Sequence, residues 1–131
     1  MSQLRRGANK IIGLCLLCFF VAGCRIQPSS DVRITPEVQP QPARVGQATI
    51  TLRVTNSSGV PINRARIKLE GNMSHSGMAP VFADAAEFEP GHYRANIELN
   101  MAGDWIVLVH LSLADGTTVD RQFEIKGVAP A

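Results

Sequence analysis

Apolar and polar residues alternate with a period of two in several segments of this 131-residue chain. In one of them, Ile50, Leu52 and Val54 are separated by threonine or arginine. Because successive side chains of a β-strand point to opposite faces, this alternation predicts strands with one buried face. The alternating segments are residues 49–55, 64–70, 92–99 and 119–126. Residues 106–113 are apolar on both faces and predict a central strand, and no segment has a helical period.

Turn-forming residues separate these segments and indicate the fold class. They are Asn-Ser-Ser-Gly at 56–59, Glu-Pro-Gly at 89–91, Met-Ala-Gly-Asp at 101–104 and Asp-Gly at 115–116. About seven short strands at this spacing predict an all-β fold, an immunoglobulin-like β-sandwich. Tyr93 follows a turn, as in a tyrosine corner, and Trp105 shares a face with Val107, so we expect both rings in the core. Arg121 interrupts the apolar face of the last strand, which predicts partial exposure there.

The first 24 residues have the order of a bacterial lipoprotein signal peptide. Arg5, Arg6 and Lys10 precede an apolar run at residues 11–21, and small residues stand directly before Cys24. The run is shorter than the roughly 20 apolar residues of a membrane-spanning helix, which disfavours the alternative of an uncleaved anchor. We therefore expect a lipid on Cys24 that attaches the chain to a membrane of the cell envelope, with the domain facing the periplasm or the extracellular side.

This interpretation divides the chain into four parts. Residues 1–23 are the predicted signal peptide, and residues 24–43 are the lipidated cysteine with a proline-rich tether, in which residues 32–34 form a first edge strand. Residues 44–127 are the predicted folded domain, followed by a tail at 128–131. Removing three basic residues from the 13 of the whole chain leaves 10, against 11 acidic residues, so the remaining charge disfavours nucleic-acid binding. Cys15 and Cys18 lie in the signal segment, so the domain depends on its core and not on a disulfide.

One loop combines soft metal-binding side chains. Met73, His75 and Met78 form the pattern M-x-H-x-x-M, in which an extended segment places Met73 and His75 on one side. A turn at Gly77 then brings Met78 back toward them. Thioether and imidazole groups suit monovalent copper, and Met101 supplies a fourth ligand if its turn lies beside this loop.

A structural interpretation stands beside the metal hypothesis. Met73 continues the face of Leu69 and can fill the core, while His75 can be a hydrogen-bonded residue at its rim. We expect His110, on the second face of the central strand, to be a structural histidine. Motifs of nucleophilic, phosphate-binding and metalloprotease sites are absent from the sequence, so we expect no enzyme.

Several segments together resemble the YtkA-like domain, which is related to FixH-like proteins. They are Asn56 to Ile62, Ala65 to Ile67, Met73 to Met78, Pro90 to Tyr93 and Met101 to Trp105, within a range from Arg44 to Lys126. The resemblance implies an extracytoplasmic β-sandwich. FixH-like members are linked to copper handling during assembly of respiratory oxidases, and CopC-type sandwiches carry copper. Carried over to this chain, copper binding falls on Met73, His75, Met78 and Met101, although the predicted lipid anchor differs from the helix of FixH-like proteins.

Two hypotheses of different classes follow. The first is a lipid-anchored domain that binds copper, as Cu(I), and carries or buffers it, with an assembly factor or copper enzyme as its partner. The second is a metal-free structural or protein-interaction module of the cell envelope, in which the same loop contacts a partner through its adaptable methionines.

Overall fold

The computed structural model describes residues 31–75 and 77–131, so the predicted signal peptide and Cys24 lie outside the described residues. The described residues form seven antiparallel strands. These are β1 (Val32–Gln39), β2 (Gly46–Asn56), β3 (Arg66–Met73), β4 (Val81–Glu89), β5 (His92–Leu99), β6 (Gly103–Ser112) and β7 (Thr118–Val128). The predicted all-β fold is confirmed. No helix in residues 31–75 and 77–131 has the length and apolarity needed to cross a membrane.

The strands follow the order β1-β2-β5-β4-β3-β6-β7 and fold into a sandwich with barrel-like closure. Strand β4 joins the two layers, because Val81–Ala85 pairs with β3 whereas the end of β4 pairs with β5. On the other side, Arg44 and Ala129 form a parallel bridge, in which the backbone N–H of Val45 donates to the Ala129 oxygen at 2.8 Å. The connection before β2 and the end of β7 thereby link the outer strands.

The core consists of the inward-facing residues of the alternating segments. Trp105 and Tyr93 are its largest fully buried side chains, as the sequence predicts. Gly71 is required beside the tryptophan, since a Cβ there would lie 2.9 Å from Val81 Cγ2 and 3.0 Å from Ile97 Cδ1. The buried aliphatic residues with zero exposure are Ala48, Ile50, Leu52, Val54, Leu69, Leu99, Val107 and Val109. Period-two patterning therefore accounts for how the two layers pack.

The predicted edge strand is β1, and it extends well beyond residue 34. Val32 and Val38 are buried, and Pro36 stands within the strand, where an edge tolerates a missing N–H. A cavity of about 400 Å³ separates β1 from β7. Arg121 lies half-buried beside this cavity, and its Nη2 donates to the Val32 oxygen at 3.4 Å. An inward-pointing charge and a proline are two ways in which proteins protect exposed strand edges, which explains the interrupted apolar face of β7.

The Tyr93 hydroxyl also forms two hydrogen bonds with the β2–β3 connection. It donates to the Ile62 oxygen at 2.8 Å and accepts from the Ala65 N–H at 3.1 Å. Burial raises the pKa of Tyr93 to about 12, so the hydroxyl remains a donor at physiological pH. A tyrosine corner bonds to the backbone a few residues upstream, whereas Tyr93 reaches 31 residues back to the β2–β3 connection.

Candidate functional site

Two connections meet at one end of the sandwich, which we call the Met/His end and define as residues 73–75, 77–80 and 100–104. The first runs from the end of β3 to the start of β4, and the second runs from the end of β5 to the start of β6. The backbone N–H of Ser74 donates to the Asp104 oxygen at 3.2 Å and holds the two together. The structure therefore places the turn that carries Met101 beside the loop that carries the M-x-H-x-x-M pattern.

Met73 is the innermost of the predicted ligands. Its side chain is only 8% exposed and belongs to the core cluster, opposite Trp105 in the β3–β6 register. Its Cε lies 3.4 Å from the position that a Cβ on Gly103 would occupy. Strand β3 ends at Met73 and the chain bends at Ser74 and His75, so the extended segment expected to align Met73 with His75 ends before the histidine. The structural interpretation of Met73 as a core residue is confirmed.

His75 differs from the other two histidines of the chain. It is exposed, as expected of a residue at the rim, and forms no hydrogen bond in the described part of the chain. In contrast, His92 places Nδ1 3.2 Å from the Pro90 oxygen, and His110 uses both ring nitrogens. Within residues 31–75 and 77–131, His75 is thus the histidine with both ring nitrogens available to a ligand.

Met78 and Met101 complete the set of predicted ligands. Met78 is half-buried against the core, after a turn at Gly77, whose φ of +104° favours glycine. Met101 is 38% exposed, and its backbone oxygen accepts a hydrogen bond from Trp105 Nε1 at 3.0 Å. The buried indole therefore fixes the backbone of Met101 and leaves its thioether at the surface.

The donor set of this end is soft and neutral. Apart from Met1, its three methionines are all the methionines of the chain. The described residues contain no cluster of three or more histidine, cysteine or acidic residues arranged to hold a metal ion. The nearby Asp104 carboxylate accepts from the Gly127 N–H at 2.8 Å and so fastens the end of β7. Thioethers with one imidazole match monovalent copper and match hard cations poorly.

Sequence reasoning missed the partners of His110. Its Nδ1 lies 2.8 Å from Asp120 Oδ1, and its Nε2 lies 3.1 Å from Glu70 Oε2, so the three side chains bridge β7, β6 and β3. The hydrogen bonds to Asp120 and Glu70 raise the pKa of His110, while bonds from Asn72 and His110 lower the pKa of Glu70. The predicted structural role of His110 is confirmed. Alternation placed these residues on outer faces, but only the strand order makes them neighbours.

The family of the chain follows from a direct match. A family model described as YtkA-like matches residues 27–110, which is more than half of the chain. The chain belongs to the YtkA-like family. The match begins before β1 of the YtkA-like domain and ends within β6, a range that differs from the expected one of Arg44 to Lys126.

Other comparisons with this YtkA-like protein are sparse. No curated protein matches the chain. Among solved structures, the crystal structure of MtrC from Shewanella baltica OS185 matches with a TM-score of 0.46 and 14% sequence identity. The match covers 76% of this chain and 22% of that one, so the YtkA-like chain spans less than a quarter of the length of the matched structure.

Proposed function

We propose that this YtkA-like protein is a lipid-anchored carrier or buffer of Cu(I), which it binds at the Met/His end. The observation that carries the proposal is that the turn with Met101 lies beside the loop with His75 and Met78, since the Ser74 N–H donates to the Asp104 oxygen at 3.2 Å. The ring nitrogens of His75 have no partner in the described part of the chain. Copper is cargo in this proposal and not a resident cofactor. The soft donors match the preference of Cu(I) for sulfur and imidazole ligands.

The burial of the side chains divides the proposed ligands into two groups. His75, Met78 and Met101 are exposed or half-buried and form the outer ligand set, while Met73 is buried in the core. Thioethers are neutral ligands on a loop that faces solvent, so an acceptor protein can approach and replace them. Such a site suits transfer or buffering better than permanent storage.

The direction of β1 supports an anchored carrier. Strand β1 starts at the end of the sandwich opposite the Met/His end, where Asp31 Oδ1 accepts from the Ser57 N–H at 3.1 Å. With eight to eleven residues per strand, the two ends are about 30 Å apart. A lipid on Cys24 would therefore leave the Met/His end directed away from the membrane, toward a copper enzyme or its assembly factor. Membrane fractionation tests the anchor, because Cys24→Ser should move the protein to the soluble fraction.

The copper proposal is tested with the full chain carrying Cys15→Ser, Cys18→Ser and Cys24→Ser in detergent, called the cysteine-free chain below. Cu(I) is titrated anaerobically against a competing chelator. We expect one copper per chain, and His75→Ala and Met78→Ala should each weaken binding by roughly tenfold or more, about 1.4 kcal/mol. His92→Ala is the matched control, because His92 lies at the opposite end. Binding that is equally tight in all variants would refute the assigned site.

A second function, a metal-free interaction module, is favoured by the outer face of β3, β4 and β6. Phe82 is 59% exposed and lies in one row with Glu70 and Leu108. The outer face of β2 and β5 presents polar side chains of its own strands, and Phe88 of β4, which is 43% exposed, packs there with Arg94 4.2 Å from its ring centroid. Contiguous apolar patches with a polar rim are typical of protein-binding surfaces, and here the exposed Phe82 is in one row with the half-buried Leu108. This function predicts no stabilisation by copper, whereas a melting temperature that rises with Cu(I) would contradict it.

A further inference from the structure

The three methionines of the Met/His end differ in how far they are exposed to solvent. Met101 is 38% exposed, Met78 is half-buried, and Met73 is 8% exposed. The chain has no cysteine after residue 24, so these thioethers are the readily oxidised sulfur groups of the folded part. Exposure therefore predicts that an oxidant modifies Met101 first and Met73 last.

Oxidation changes the chemistry that a methionine offers to a metal. Hydrogen peroxide transfers one oxygen atom to the thioether, so that the O–O bond breaks and an S–O bond forms. The sulfur loses two electrons, the peroxide is reduced, and water leaves as the second product. The sulfoxide presents a hard oxygen in place of a soft sulfur lone pair, which suits Cu(I) poorly.

The position of Met101 allows this change without unfolding. Trp105 Nε1 bonds to the backbone oxygen of Met101, and that bond does not involve the thioether. A sulfoxide at Met101 therefore adds a polar group only at the surface. At Met73 the same group would lie in the core opposite Trp105, where an unpaired polar atom is costly.

We infer that Met101 is a redox-modified residue that switches metal binding at the Met/His end. Peroxide converts its thioether to the sulfoxide and lowers the affinity for Cu(I). Methionine sulfoxide reductase restores the thioether with two electrons from a dithiol, which becomes a disulfide while the oxygen leaves as water. The inference rests on the copper-binding function proposed above and adds to it a form of regulation at the same site. The exposure of Met101 and its backbone attachment to Trp105 together carry it.

The test uses the cysteine-free chain and Ag(I), which mimics Cu(I) without changing oxidation state. The chain is treated with graded hydrogen peroxide, the peroxide is removed with catalase, and sulfoxides are located by peptide mass spectrometry. We expect Met101 to be oxidised about tenfold faster than Met73. As Met101 is converted, the affinity for Ag(I) should fall by about tenfold or more, the loss expected for one ligand, while the melting temperature stays constant. Treatment with methionine sulfoxide reductase and a dithiol, followed by removal of the dithiol, should restore the affinity.

Met101→Leu is the matched variant. It should bind Ag(I) as weakly as the oxidised chain, and the same peroxide dose should lower its affinity no further. Oxidation of Met73 or Met78 ahead of Met101 would overturn the inference. If the untreated chain binds Ag(I) and the Met101 sulfoxide binds it equally well, only the redox switch is refuted. If the untreated chain binds no Ag(I), both the redox switch and the copper proposal are refuted.

Discussion

The two ends of the sandwich differ in how the side chains of their connections are hydrogen-bonded. At the end where β1 begins, Asn56 Oδ1 accepts from the N–H groups of Ser58 and Val60, both at 2.9 Å. Asp115 Oδ1 likewise accepts from the Thr117 N–H at 2.9 Å. At the Met/His end, the side chain of His75 has no hydrogen bond in residues 31–75 and 77–131. At the first end the side chains bond to the backbone of their own turns. At the Met/His end Asp104 instead bonds to the N–H of Gly127 in β7, and His75 bonds to no described residue.

This difference in hydrogen bonding predicts that the connections at the two ends of the sandwich respond differently to substitution. Asparagine and aspartate in turns satisfy nearby backbone N–H groups and thereby fix the path of the chain. The loop after β3 has histidine and methionine instead, which do little to fix a turn. We expect the first end to be sensitive to substitution through stability and the Met/His end to be sensitive through binding.

The largest expected difference in stability is between alanine substitutions at two glycines with positive φ, one at each end of the sandwich. Gly91 has φ of +74°, and a Cβ there would lie 2.7 Å from Pro61 Cβ and 3.0 Å from the Val54 oxygen. Backbone strain and overpacking together should cost about 3 kcal/mol of unfolding free energy in Gly91→Ala. Gly77 has open space around it, so Gly77→Ala should cost about 1 kcal/mol from backbone strain alone. Urea unfolding measures both variants, and equal losses would show that the ends do not differ in this way.

A smaller effect on stability is expected when one polar side-chain group is removed from each end. Tyr93→Phe leaves the Ile62 oxygen and the Ala65 N–H without their partner and should cost about 1–2 kcal/mol. His75→Ala removes no hydrogen bond to a described residue and should change stability by less than about 0.5 kcal/mol. Urea midpoints report both values. A loss in His75→Ala as large as that in Tyr93→Phe would show that the histidine has a structural task.

The smallest expected effect concerns the cluster of Glu70, His110 and Asp120, which lies between the two ends. Because the pKa of His110 is raised, its contribution to stability is complete below its ordinary pKa of 6.5 and is lost as pH rises through the raised pKa. The pKa of Glu70 is lowered, so its contribution is present above 4.5 and is lost as pH falls through the lowered pKa. The cluster therefore stabilises most between these two values. Lys68 is adjacent to His110 across the β3–β6 pair, but its Nζ lies over the Phe82 ring at 5.8 Å from the centroid.

The measurement compares urea midpoints of the wild type and His110→Gln at about pH 5.5 and about pH 8.5. The wild type should lose stability between these two values, and His110→Gln should lose less. Identical pH dependence in the two proteins would show that His110 contributes nothing.

Sequence patterning was most informative where alternation is strong, and β4 shows where it weakens. The inward residues Val81, Ala83 and Ala85 are mostly small, the pairing with β5 shifts between Glu87 and Glu89, and Phe82 points outward. Alternation therefore did not single out this strand, although the expected number of strands was right. Strand order lies equally beyond local patterns, because it depends on contacts between distant segments, and it decides which residues surround His110.

The candidate site was partly predictable, because residue types can be read from the sequence whereas burial and contacts depend on the fold. Residue types identified the soft donors, and turn residues placed Met101 in a connection. Whether Met73 lies in the core depends on where β3 ends, and strand ends are poorly determined by alternation. The bond from Trp105 to the Met101 backbone had no signal in the sequence.

The pairing of β1 has a mechanical consequence. A force that reaches the domain through residue 31 acts along β1, whose eight residues from Val32 to Gln39 all pair with β2. Antiparallel hydrogen bonds lie perpendicular to their strands, so such a pull loads the whole row in shear at once instead of opening it bond by bond. Strand β1 is therefore arranged to resist a pull along its own length.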